Sequence, residues 1–211
     1  DDAVTSASDL EKGSMNLASQ LMVLSSQSDI TSADLDLMSG IVDKLNDNYG
    51  ELSLAVDKTT GKLNMSVPEL YSFIQEKADE QKKTAATDAL TEAISKYGEA
   101  RKQMQDASTE VGAAWDNYQE MTEKWRTEHP IKAYLGEGAE MNWDKDLGQA
   151  FDDWEALKDA SSEASENYNQ LEEQIRQYCE TLGYTTEETD EFISQLEASA
   201  DSMNSLSDAT Q

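Results

Sequence analysis

The residues that could bind a metal ion or attack a substrate are few in this chain of 211 residues. Asn142, Asp144, Asp146 and Asp153 occupy positions one, three, five and twelve of a calcium-binding loop. The sixth position of such a loop should be glycine but is Leu147, and the twelfth should be glutamate. An acidic helix N-terminus explains the same residues more simply. We therefore predict no metal site in this stretch.

Cys179 and His129 are the only cysteine and the only histidine. They lie about fifty residues apart and no recognisable family signature surrounds either one, so the pattern favours an inert, packed thiol and a histidine that caps a helix C-terminus. With 44 acidic residues, paired carboxylates occur at every spacing by chance. We predict no catalytic residues and no cofactor. An enzyme would need a partner chain to complete its site.

The charge balance restricts the possible partners. The 44 acidic and 16 basic residues give a formal net charge of −28, which argues against direct nucleic-acid binding because that affinity depends on lysine and arginine neutralising phosphate. No apolar run approaches the roughly 20 residues that a membrane-spanning helix needs. Because Asp1 rather than methionine stands first, we expect an internal segment of a longer protein.

Apolar residues recur every seventh position in two long stretches, which is the heptad pattern of a coiled coil. In the first stretch alanines fill the row three residues further on, from Ala86 to Ala114, and small side chains let two helices approach closely. The predicted helix–helix seam consists of Leu90, Tyr97, Met104, Val111, Tyr118, Trp125, Leu147, Trp154, Leu157, Tyr168, Leu171, Ile175 and Leu182. The pattern predicts an antiparallel helical hairpin, and it does not decide whether the seam closes within one chain or between chains.

Residues 1–80 form a different pattern, which predicts a small helical head. Within it, Leu52, Leu54 and Val56 alternate with small or polar residues, and this period of two predicts a short β-hairpin near 51–66. The hairpin would turn through residues 57–61, where Gly61 supplies a positive φ.

Helix boundaries are marked by capping signals. Ser66 and Glu69 form the pattern of a capping box with Pro68 in the first turn, and Gly183 is placed to end the returning helix. Thr185 and Glu188 form a second capping-box pattern, which predicts the start of the last helix. The fold class is thus mainly α: a long antiparallel helical hairpin with a small helical head that carries one short β-hairpin. The predicted regions are a head at 1–80, a two-helix coiled-coil hairpin at 81–183 with a bend near 130–143, and a short helix with a frayed tail at 184–211.

One stretch resembles a known family. Residues 37–49 read Leu-Met-Ser-Gly-Ile-Val-Asp-Lys-Leu-Asn-Asp-Asn-Tyr, and residues 57–66 read Asp-Lys-Thr-Thr-Gly-Lys-Leu-Asn-Met-Ser. A helix ending in Val-Asp-x-Leu-Asn, a leucine-rich strand and Asp-x-x-Thr-Gly-x-Leu-Asn before a new helix resemble segments of phage tail tape measure proteins, especially from phages and prophages of Gram-positive bacteria. The match is concentrated in residues 34–69 and carries no catalytic or ligand residues.

The resemblance implies a structural segment of the virion tail, assembled in the host cytoplasm, whose helical length sets tail length and which leaves the tail before or with the DNA at ejection. Its partners would then be the tail tube, other tail proteins and further copies of itself. An alternative is a secreted or surface bacterial helical module that binds other proteins through its head.

Overall fold

The computed structural model describes residues 2–27, 29–130 and 144–208, with side chains described from residue 3 to residue 204 of these ranges. The five helices within these ranges are α1 (Asp2–Ser25), α2 (Ser32–Asn48), α3 (Val67–Glu128), α4 (Lys145–Leu182) and α5 (Thr186–Asp208). The predicted, mainly helical class is therefore confirmed. The bend predicted near 130–143 lies, from residue 131 onward, outside the described residues.

The chain divides into two compact units, Asp1–Ala89 and Leu90–Gln211. The division falls inside α3, somewhat beyond the boundary predicted at residue 80. Each unit has its own core and is described by itself below.

The first unit packs α1, α2 and the first turns of α3 around one apolar core. Leu70 and Ile74 of α3 have no exposed surface in this core. Its fully or largely buried members are Ala18, Leu21, Leu24, Met38, Ile41, Val42, Leu45, Tyr49, Leu52, Leu54, Leu70 and Ile74. An ion pair between Lys82 and Glu11, 2.6 Å long, joins α3 to α1 at the edge of this core.

Two helices of the first unit, α2 and α3, begin at capping boxes. Thr31 caps α2: its hydroxyl accepts from the Asp34 N–H, and the Asp34 carboxylate accepts from the Thr31 N–H. Ser66 and Glu69 form the same arrangement at the start of α3, with the Ser66 N–H donating to Glu69 Oε2 at 2.9 Å. These reciprocal bonds satisfy N–H groups that have no partner within the helix.

The β-hairpin predicted at 51–66 is wrong, because the structure shows no strand there. A single antiparallel bridge joins Val56 to Leu63. The Asp57 N–H donates to the Lys62 carbonyl at 2.8 Å, and the Gly61 N–H donates to the Asp57 carbonyl at 2.8 Å. The Asn64 N–H also donates to the Ala55 carbonyl at 3.0 Å, so the segment is a closed turn held by this one bridge.

Asparagine side chains take the backbone groups that a longer ladder would use. Asn46 of α2 donates to the Leu54 carbonyl and accepts from the Leu54 N–H, both at 2.8 Å. Asn64 accepts from the Ala55 N–H at 2.8 Å and donates to the Ser53 carbonyl at 3.0 Å. These amides satisfy backbone groups of residues 53–55 that the single bridge leaves unpaired, so side-chain hydrogen bonds take the place of a longer ladder.

Gly61 occupies the position in the turn where glycine is required. Its φ is +66°, and a Cβ added there would lie 2.5 Å from Cδ1 of Ile30. Both the backbone conformation and the close approach of Ile30 therefore disfavour any larger residue.

The second unit contains α3 from Leu90 onward together with α4 and α5. Contacts between α3 and α4 run in opposite directions along the two helices: Tyr97 meets Tyr168, Trp115 meets Trp154 and Tyr118 meets Phe151. The two helices therefore pack as an antiparallel pair.

The third helix of this unit follows α4 after a tight turn. Gly183 ends α4 with φ of +92°, and the Thr185 N–H donates to Glu188 Oε2 at 2.8 Å in the predicted capping box. Helix α5 lies in the same unit as α3 and α4 and extends to Asp208. A methyl group at Gly98 of α3 would touch Cβ of Ala200.

Candidate functional site

Two tyrosines form the buried centre of the contact between α3 and α4. Tyr97 and Tyr168 lie with ring centroids 5.1 Å apart, and their hydroxyl oxygens are hydrogen-bonded at 2.6 Å. Tyr97 is 1% exposed and Tyr168 is 6% exposed. Burial raises the pKa of both phenols, because an ionised phenolate loses its hydration there. Both hydroxyls therefore remain protonated and act as hydrogen-bond donors and acceptors.

Arg101, one helical turn after Tyr97, connects this pair to α5. Its guanidinium binds Asp201 in a bidentate manner, from Nε at 2.8 Å and from Nη2 at 3.0 Å. Nη1 donates to Glu197 Oε1 at 2.7 Å and to the Tyr168 hydroxyl at 3.0 Å. The planar guanidinium suits this arrangement because its donors point in fixed directions.

Two further hydrogen bonds complete the cluster. The Tyr168 hydroxyl donates to Glu197 Oε1 at 2.8 Å, and Gln105 Nε2 donates to Asp201 Oδ1 at 3.1 Å. We call Tyr97, Arg101, Gln105, Tyr168, Glu197 and Asp201 the three-helix cluster, since they come from α3, α4 and α5. Its polar groups bind one another, so the arrangement holds helices together and presents no activated nucleophile.

The ion pair between Arg101 and Asp201 shifts the pKa of each group so that its charged form is favoured. Hydrogen bonds from Arg101 hold the pKa of the Asp201 carboxyl below its ordinary value of 3.8. The bonds to Asp201 in turn raise the pKa of Arg101. Only 15% of the Arg101 side chain is exposed, so this cation is shielded from solvent more than an ordinary surface arginine.

Each predicted seam residue lies on a buried or half-buried face. The buried ones are Tyr97, Tyr118, Trp125, Leu147, Tyr168 and Ile175, and the half-buried ones are Leu90, Met104, Val111, Trp154, Leu157, Leu171 and Leu182. The cluster around Tyr118, Trp125 and Leu147 marks the end of the α3–α4 pair opposite to the three-helix cluster.

Aromatic rings dominate that far end. Trp115 and Trp154 have ring centroids 4.7 Å apart, and the Tyr118 and Phe151 centroids are 5.4 Å apart. Such contacts stabilise beyond the area that they bury. These tryptophans pack on other aromatic rings of the seam, which is the role that their position beside the heptads predicts.

The residues first considered for chemistry have structural roles where the structure describes them. Burial raises the pKa of the Cys179 thiol, which disfavours the reactive thiolate. His129 Nδ1 hydrogen-bonds the Trp125 carbonyl at 3.1 Å and its ring stacks on that tryptophan. Asp144 caps α4 by accepting from the N–H groups of Asp146 and Leu147. Asn142, the first position of the calcium-loop pattern, lies outside the described residues.

Sequence reasoning missed Arg101, Gln105, Glu197 and Asp201. One signal was available: Glu197 and Asp201 are four residues apart, so they share one helix face. Nothing in the sequence indicated that this face would meet Arg101, about a hundred residues earlier. Among the described residues, no group of three or more His, Cys, Asp or Glu side chains is placed to hold a metal ion.

None of the helices described has the length and apolarity required to cross a lipid bilayer. Comparison with family models, with curated proteins and with solved structures finds no match to this chain.

Proposed function

We propose that this chain is a structural segment of a phage tail tape measure protein, in which long helices contribute to tail assembly, tail length and DNA ejection. Its partners in this role are the tail tube, other tail proteins and further copies of itself. No catalytic activity is part of the proposal. In this role the α3–α4 pair acts as a coiled-coil stalk.

The observation that carries this proposal is the pairing of two long helices through aromatic and aliphatic side chains. The helices have 62 and 38 residues, and their contacts bury Tyr97, Tyr168 and Leu147 to 6% exposure or less. The polar residues of the three-helix cluster bind one another. A segment built in this way works through its length and its stiffness.

The residues of the family resemblance have structural roles, which suits a family whose shared property is architecture. Asn46 and Asn64 bind the backbone between residues 53 and 55. Asp57 Oδ1 accepts from the N–H groups of Thr59 and Thr60, and Gly61 supplies the positive φ of the turn. The quoted motif is thus explained by the connection between α2 and α3.

The acidity of the chain also suits the proposed role. With a net charge of −28, the segment repels phosphate over distances of about 8 Å, the screening length at physiological salt. A component that shares the tail lumen with passing DNA has to release it rather than retain it.

The proposal is tested by shortening the α3–α4 pair in the phage or prophage gene that encodes the chain. Two heptads are removed from α3 (residues 104–117) together with the two heptads opposite them in α4 (residues 150–163), which keeps the antiparallel pairing and the seven-residue repeat. If the pair lies along the tail axis, this deletion shortens the tail by about 21 Å at 1.5 Å per residue. Electron microscopy of several hundred tails measures the mean difference. Unrelated heptads of the same length, inserted in both helices, should restore the original tail length, and unchanged tails after the deletion would contradict the proposal.

A second candidate is a secreted or surface bacterial module that binds other proteins, and exposed apolar side chains of the first unit favour it. Met22, Val23 and Leu37 are 49%, 58% and 52% exposed. An antibody against this segment separates the two candidates. Labelling of tail particles supports the tape measure role, whereas labelling of intact cells or of the secreted fraction supports the interaction module.

A further inference from the structure

The apolar rows of α3 and α4 do not by themselves select one alignment of the two helices. Tyr97 lies against Tyr168 in the structure. If α3 slid by one heptad, Tyr97 would lie opposite Ile175, and Met104 would lie opposite Tyr168. Each of these pairings still places apolar surface on apolar surface, because the seam repeats every seven residues.

The polar contacts, in contrast, fit one alignment. Tyr97, Arg101 and Gln105 of α3 make six hydrogen bonds to α4 and α5. All six arise within about two turns of α3, and each depends on the lengthwise position of that helix. Hydrogen bonds are lost within a displacement of about 1 Å, whereas apolar contacts tolerate exchange of one side chain for another.

The acceptors of these bonds form one body on the other side of the contact. Helices α4 and α5 are joined by the short turn at Gly183 and by an ion pair between Arg176 and Asp190. Tyr168 of α4 also donates to Glu197 of α5 at 2.8 Å. A slide of α3 by one heptad, about 10 Å, would therefore remove all the acceptors from Arg101 together.

The positions one heptad away from Arg101 cannot replace it. They are Ile94 and Ser108, neither of which is a cation. In a shifted alignment, Glu197 and Asp201 would face an isoleucine or a serine and would lose their bonds to Arg101. The cost falls on Glu197, whose side chain is 37% exposed, and on the lost bidentate contact of Asp201, which is 47% exposed and becomes hydrated.

We propose that Tyr97 and Arg101 are positioning residues that select the alignment of α3 against the α4–α5 body. The closest precedent in principle is the single polar residue that fixes the register of a coiled coil at some cost in stability. This inference concerns the second unit alone and does not depend on the tail assignment.

The test exchanges the arginine with the serine one heptad later, in the variant R101S/S108R. Composition and net charge are unchanged, but the cation now lies where it can reach Glu197 and Asp201 only after a slide. Spin labels on Glu110 and Glu173, both exposed, report the slide by pulsed electron paramagnetic resonance in a C179A background. The two sites are offset along the helix axes, so a slide of about 10 Å appears mostly in their separation.

We expect the label separation to shorten by about 8–10 Å in a substantial fraction of R101S/S108R molecules. The matched control is R176Q, which removes another arginine bound by two carboxylates, Glu172 and Asp190, but leaves the contacts of α3 unchanged. Its label separation should equal that of the background protein even if its melting temperature falls.

A folded R101S/S108R variant with only the original separation would overturn the proposal. If circular dichroism shows that this variant has lost its helices, Y97F decides the question, since it removes one hydroxyl and keeps the ring. Y97F should add a minor population with the shorter separation. The original separation alone in folded Y97F would equally overturn the proposal, because a purely stabilising role lowers stability without moving the helices.

Discussion

Replacing Asn46 by alanine tests why residues 51–66 form a closed turn rather than a β-hairpin. The substitution removes two hydrogen bonds of 2.8 Å to the Leu54 backbone. Leu54 is 3% exposed, so water reaches its N–H and carbonyl groups poorly after the change. Each lost bond is worth about 0.5–1.5 kcal/mol, and a buried group left unsatisfied adds to that cost. We expect N46A to destabilise the first unit by about 2–3 kcal/mol.

Asn64 provides a matched control for this prediction. Its amide makes an equivalent pair of hydrogen bonds to the backbone of the same segment, at Ser53 and Ala55, but it is exposed, as are both of those residues. Water can replace the lost bonds there, so we expect N64A to cost about 1 kcal/mol or less.

Hydrogen–deuterium exchange with peptide-level mass spectrometry measures both variants in the intact chain. A loss of 2 kcal/mol corresponds to roughly 30-fold faster exchange of amides that open with the first unit. Peptides covering the end of α2 and residues 52–56 should show this increase in N46A and a much smaller one in N64A. Equal exchange in the two variants would refute the reasoning, since burial of the Leu54 backbone would then contribute nothing.

Three further predictions concern stability measured by urea unfolding. G61A should lower the free energy of unfolding by about 1–3 kcal/mol, because Gly61 has a positive φ and a close neighbour. G40A lies in the interior of α2, with nothing within 4 Å of an added Cβ, and should raise the free energy of unfolding by about 0.5–1 kcal/mol. A gain in both variants would be inconsistent with the turn geometry. The folded pKa of Asp201 lies below its ordinary value of 3.8, so the stabilisation from its ionised form is present above pH 3.8 and is lost as the pH falls through the folded pKa. D201N should therefore flatten the fall in stability below about pH 4 relative to the parent protein. Parallel pH profiles of the two proteins would argue against the ion pair. I175A changes a side chain with no exposed surface and should lower the free energy of unfolding by about 2–5 kcal/mol. L171A, at a half-buried position, should lower it clearly less. The reverse order would show that the α3–α4 contact is arranged differently.

Sequence reasoning succeeded where structure follows from neighbouring residues. The capping boxes at Ser66 and Thr185 and the glycine stop at Gly183 need only residues within one helical turn, and all three are present in the structure. The alternation of Leu52 and Leu54 also correctly identified two buried side chains. Local signals of this kind depend little on the remainder of the fold.

Prediction failed where distant side chains compete for the backbone. The alternation around Leu54 is the pattern of a strand, but it cannot reveal that Asn46, two residues before the end of α2, reaches the Leu54 backbone. Burial alternates in the segment as predicted, while the N–H and carbonyl of Leu54 bond to an amide side chain instead of to a second strand. A period of two reports which side chains are buried and does not report what the backbone binds.

The three-helix cluster was missed for a related reason. The heptads indicated Tyr97 and Tyr168 as seam residues, but they gave no partner for the face of α5 that carries Glu197 and Asp201. Which residues this face contacts depends on the direction that α5 takes after Gly183, and that direction is set by the packing of the whole second unit. Acidic residues are so frequent in this chain that their spacing alone carried no information.

The antiparallel pairing of α3 and α4 within one chain is tested most directly by the distance between two spin labels, one on each helix, measured after dilution with unlabelled protein. Spin labels on Glu120 and Gln149, exposed positions at the aromatic end of the pair, are introduced in a C179A background and mixed with a tenfold excess of unlabelled chain. Packed helices have axes about 8–10 Å apart, so we expect a label separation below about 25 Å that persists on dilution. A short separation that disappears on dilution, or no short separation at all, would contradict the pairing of these two helices within one chain.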